Sequence, residues 1–107
     1  MQHVPFANRP EIVNYTRKQL KASTSAYRSG KRGIAYDIIA IEFNKCYLGI
    51  NNEFDIATAL RMLRLMTCQA RRIQCPRLAQ DILNFQYAII RNPHFCDASN
   101  WILSPIN

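Results

Sequence analysis

Apolar and polar positions along this chain recur with the period of a helix, not with the alternation of a strand. The clearest run lies between residues 56 and 73. There Ile56, Ala59, Met62, Leu63, Met66, Ala70 and Ile73 fall within about 120° of arc at a period of roughly 3.6 residues. Asn52 and Asp55 supply a capping-box-like start for this helix. Pro76 ends it, because the residue before a proline avoids the α region. Pro76 also opens a following helix to about Arg91, with Leu78, Ile82, Phe85 and Ile89 in a stripe broadened by Ala79, Leu83 and Ile90.

Upstream the pattern is looser. Pro10 and Glu11 suit a first helical turn, and a helix to about Ala22 places Ile12, Val13, Thr16 and Leu20 on one side. Residues 1–9 then form a short N-terminal arm, and the Ser/Thr- and Gly-rich stretch 23–33 reads as a mobile basic loop. Residues 34–48 carry two apolar sides, Ile34, Ile38, Ile41 and Leu48 against Ile39, Phe43, Cys46 and Tyr47. A helix apolar nearly all round belongs at the centre of a fold, although the Ile and Tyr content also permits a strand. The length of the run and Gly49 at its end favour helix. Asp97 can cap a short last turn that docks Trp101, Ile102 and Leu103. The expected fold is one all-α domain spanning 1–107, a compact bundle or orthogonal array of four to five helices.

Composition fits this picture and adds charge to it. The chain has 107 residues, 49% of them apolar, which suits one domain with a genuine core. Fourteen Lys and Arg face seven Asp and Glu, a net +7 that favours phosphate backbones or acidic protein surfaces. The surplus concentrates in residues 1–36, where seven basic residues meet one acid, and in residues 61–77, where five arginines meet none. There is no run of eighteen apolar residues to span a membrane, and the N-terminus lacks the apolar stretch of a secretion signal. Four cysteines without such a signal read as reduced thiols in a cytoplasmic setting, or a nuclear one in a eukaryotic host.

The charge becomes specific on the third helix. Arg61, Arg64, Arg71 and Arg72 lie within about 100° of arc, opposite the apolar stripe, and span about 16 Å of helix. Solvated helix faces ordinarily mix signs, with Glu and Lys four apart, whereas this one is all arginine. Arginine offers a planar fork of donors that matches phosphate oxygens in pairs. These four residues, with Lys31 and Arg32 in support, are the candidate nucleic-acid-binding set. The nearest alternative is a protein-interaction module that presents the basic face to an acidic partner, or that pairs with a second copy of itself through an apolar patch seeded by Leu60 and Leu65. A third and more distant role, at a membrane surface, would need the apolar face that the core already claims. Interleaving of Arg17, Lys18, Lys21 and Arg28 with Tyr15, Tyr27 and Tyr36 admits stacking on single strands, or plain packing of the tyrosines on the core.

Residues 45–51 followed by 56–61 are similar to the turn and second helix of the helix-turn-helix motif. Lys45 stands where that motif has a small residue, and the apolar positions after the turn come one residue late. The arginines begin mid-helix, while a recognition helix reads bases with its first residues.

Chemistry has thinner support. Arg64, Arg71 and Arg72 surround Cys68 at i−4, i+3 and i+4, the setting in which a thiol turns reactive, although an inert cysteine half-covered by Leu65 explains the position as well. A zinc site from Cys68, Cys75, His94 and Cys96 is opposed by about 10 Å of helix axis between the first two. No phosphate loop, nucleophile elbow or paired-carboxylate geometry is present, so neither catalysis nor a cofactor is expected.

Overall fold

A computed structural model describes residues 10–50 and 52–92 of the chain. Four helices make up nearly all of them: α1 (Pro10–Arg28), α2 (Arg32–Gly49), α3 (Ile56–Arg72) and α4 (Pro76–Arg91). No strand is present among the described residues, so the all-α expectation holds and residues 34–48 are helix. No helix among them is long and apolar enough to cross a membrane. The N-terminal arm, His94, Cys96 and the expected turn from Asp97 to Leu103 lie outside the described residues.

The central helix is α3, not α2. α3 packs against all three other helices, with α1 and α4 on its flanks and α2 behind it. Its predicted stripe is its core: Ala59, Met62, Leu63, Met66, Ala70 and Ile73 are all buried. Of its two apolar sides α2 buries only Ile39, Phe43 and Cys46, all from one of them, with Ala35 alongside. Its other side, with Ile34, Ile41 and Leu48, faces solvent, and Leu48 is 61% exposed. Among the described residues α1 and α3 occupy one side of α2, and no further helix covers the other. Where α2 and α4 meet, Phe85 stands edge-on to Phe43 at 5.1 Å and stacks on Tyr47 at 5.7 Å.

α1 runs six residues further than its composition predicts, so the expected loop at 23–33 shrinks to a turn at Ser29–Lys31. Serine and threonine disfavour helix interiors because their hydroxyls compete for backbone partners. Here those hydroxyls have partners on other helices. Buried Ser23 donates to the Ala35 carbonyl at 2.9 Å, and Thr24 meets the Gln69 side chain.

The helix ends are closed by local chemistry. Asp55 caps α3 and accepts from the Thr58 amide at 2.8 Å, as the sequence suggests. α1 and α3 both stop in the Schellman pattern. The amides of Lys31 and Gly30 reach the carbonyls of Ala26 and Tyr27, and those of Cys75 and Gln74 reach Ala70 and Arg71. Each motif needs a left-handed residue. Gly30 supplies it at φ 79°, and Gln74, which has a Cβ to accommodate, supplies it at φ 61°. This turn carries Cys75 inward: it is buried, where continuation of the helix would have put it on the arginine face. Gly49, at the end of α2, lies against the buried ring of Phe54, which leaves no room for a Cβ.

Candidate nucleic-acid interface

The sequence of α3 determines which of its faces is wet. Burial of the apolar stripe leaves Arg61, Arg64, Cys68, Arg71 and Arg72 exposed on the opposite side. α3 contains no Asp or Glu, and the only acid in α1 is Glu11 at its first turn.

The face is wider than α3 alone. α1 buries Val13, Thr16, Leu20 and Ser23, and that register turns Arg17, Lys21 and Thr24 toward α3. Together with Leu65, Cys68, Gln69 and Arg72 they line a cleft of about 320 Å³ between the two helices. Gln69 is the hinge pin of this cleft. Its amide nitrogen donates to Ser23 Oγ at 3.2 Å and to Thr24 Oγ1 at 2.9 Å. Its carbonyl oxygen accepts from Arg72 at 3.3 Å, which holds one arginine of the stripe against the cleft wall. Arg17 donates to Asn14 Oδ1 at 2.9 Å, one turn back on α1.

Two supporting residues of the predicted set stand apart from this cleft. Arg32 donates to the Gln74 carbonyl at 3.0 Å and touches Cys75 Sγ at 3.7 Å. It stitches the α1–α2 turn to the α3–α4 turn, a tertiary role that local sequence does not reveal. Lys31 is the N-cap residue of α2 and lies exposed in the first of those turns. The tyrosines do not gather into a stacking platform. Tyr15 lies on the α2 side of α1 under the ammonium of Lys45, 5.3 Å from the ring centroid. Tyr27 and Tyr36 are packed against the core, and burial, with Asp81 next in weight, raises the pKa of the Tyr36 hydroxyl.

Cys68 is exposed in the cleft lining, while Cys46 and Cys75 are buried. Among the described residues no group of three His, Cys, Asp or Glu side chains converges on a point where a metal ion could sit.

The helix-turn-helix similarity meets a geometric difficulty. A recognition helix projects so that it can enter a major groove about 12 Å wide. α3 is instead packed against α1, α2 and α4, and its exposed face lies between α1 and α4. No family model, curated protein or solved structure matches the chain.

Proposed function

We propose that the protein binds nucleic acid through phosphate contacts made by the joint face of α1 and α3, and that it serves as a small regulatory protein in doing so. One observation carries this reading. Six cationic side chains, Arg61, Arg64, Arg71, Arg72, Arg17 and Lys21, are exposed on two adjacent helices whose only acid is Glu11. Guanidinium forks on two adjacent helices suit a phosphate backbone passing over them, and contacts to phosphate carry little information about base identity. The expected behaviour is tight but weakly sequence-selective binding that weakens steeply with salt.

The test is the salt dependence of binding. Six phosphate contacts on duplex DNA give a log–log slope of about −5. Replacing the four α3 arginines with alanine reduces its magnitude by about 3 to 4. A slope near zero, or one unchanged in the folded variant, contradicts the reading.

A second reading is favoured by a different surface. Ile34, Ile41 and Leu48 form an exposed apolar row on α2, the kind of surface that monomers seldom leave open and that protein partners cover. In that reading the basic face engages an acidic protein, and sedimentation shows a complex or a dimer instead of nucleic-acid binding.

A further inference from the structure

Phosphate contacts account for the cations of the α1–α3 face but not for the cleft between them. Its volume of about 320 Å³ lies at the lower end of the roughly 300–1,000 Å³ typical of small-molecule sites. Both walls carry exposed cations, Arg17 and Lys21 from α1 and Arg72 from α3. Arg17 and Lys21 are four residues apart, so they share a side of α1 about 6 Å from one another along its axis. Among the described residues no carboxylate meets any of the three. Arg17 donates to Asn14 and Arg72 to Gln69, both neutral. No Asp or Glu lines the cleft, so its charge is open to an anion from outside.

The rest of the lining is of a different kind. Half-buried Leu65 on α3 and buried Leu20 on α1 supply hydrocarbon from both helices, and the stems of the three cations add to it. The uncharged polar side chains there, Thr24 and Gln69, are engaged with one another. Gln69 commits its amide nitrogen to Ser23 and Thr24 and its carbonyl oxygen to Arg72. A hydrated anion alone gains little from such an interior. A ligand that joins an anionic group to a flat, largely apolar body uses the cations and the hydrocarbon together.

We infer that the cleft takes one unpaired nucleotide of a single strand, with its base against Leu65 and Leu20 and its flanking phosphates on Arg17, Lys21 and Arg72. The inference rests on the phosphate reading of the same face and adds a class of ligand to it. Bases in a duplex are stacked on their neighbours, whereas a single strand can turn one out. A base so exposed is held by its faces between aromatic or apolar side chains. The committed hydrogen bonds of Gln69 leave the cleft little with which to read the edge of a base, so it accepts any of the four.

Two strands of equal length and charge, an oligothymidylate and its abasic counterpart, test this on the full chain by fluorescence anisotropy. They offer the same phosphates and differ only in the bases. The oligothymidylate binds about five- to tenfold tighter, the equivalent of roughly 50 Å² of hydrocarbon removed from water. Leu65→Ala reduces that advantage to about twofold or less and leaves abasic binding within about twofold of wild type. Cys68 lines the cleft, so at equal occupancy the oligothymidylate slows its alkylation by iodoacetamide more than the abasic strand does. The wild-type comparison and the alkylation need no variant, so the test stands if Leu65→Ala fails to fold. Equal, salt-sensitive binding of the two strands overturns the inference and leaves the phosphate reading in place, whereas binding of neither overturns both. A preference that persists undiminished in folded Leu65→Ala, or equal protection of Cys68, also overturns it, because the base then sits elsewhere.

Discussion

Gln69→Leu tests whether a buried polar hub, rather than apolar contact alone, joins α1 to α3. Gln69 is 2% exposed and donates to both Ser23 and Thr24. Leucine preserves the bulk and removes both donors. Each lost bond is worth about 1 kcal/mol net. Ser23 keeps its own donation to the Ala35 carbonyl, and half-buried Thr24 regains water, so neither becomes a stranded donor. Burial of the added hydrocarbon returns a fraction of the loss, leaving a net destabilisation of about 1–2 kcal/mol. For a domain of this size that lowers Tm by roughly 5–15 °C. Thermal unfolding followed by circular dichroism measures it. The same substitution frees Arg72 from the cleft wall, so nucleic-acid affinity falls by about two- to threefold in protein that is still folded. A Tm within about 2 °C of wild type, or above it, refutes the reasoning, because it means that the apolar contacts of α1 with α3 suffice without the hub.

Three further outcomes follow from the same structure. Gln74→Gly relieves a left-handed backbone at φ 61° and raises stability by about 0.5–1 kcal/mol in urea unfolding. Gly49→Ala drives a Cβ to within 2.6 Å of Phe54 Cζ and lowers stability by about 1–3 kcal/mol, with denaturant titration as the check. Of Cys46, Cys68 and Cys75, only Cys68 is alkylated by iodoacetamide in the native protein, and bound nucleic acid protects it; peptide mapping reads both results.

The helix legible in advance was the one with a single apolar side. α3 was readable because its pattern admits only one buried face, and with that face inside, the exposure of Arg61, Arg64, Arg71 and Arg72 follows from helical geometry. α2 was legible as a helix but misleading as to its place, because its two apolar sides cannot tell which of them will find neighbours. The extension of α1 through Ser23, Thr24 and Ser25 was hidden because two of the hydroxyls find their partners at Ala35 and Gln69, far along the chain. Charge alone places Arg32 in the supporting set, while its hydrogen bond to Gln74 spans 42 residues of sequence. Arg17 and Lys21 are legible from the pattern of α1. The buried positions Val13, Thr16, Leu20 and Ser23 define the register of α1, and that register puts both cations beside α3.

The central claim is that the joint α1–α3 face binds phosphate backbones, and fluorescence anisotropy at two salt concentrations tests it most directly. Labelled single- and double-stranded DNA and RNA are titrated with wild-type protein and with the folded Arg61, Arg64, Arg71 and Arg72 quadruple alanine variant. The account predicts a wild-type Kd below about 1 μM at physiological salt for at least one of these ligands, lost in the variant. Weak binding by the wild type, or equal binding by the two proteins, contradicts it.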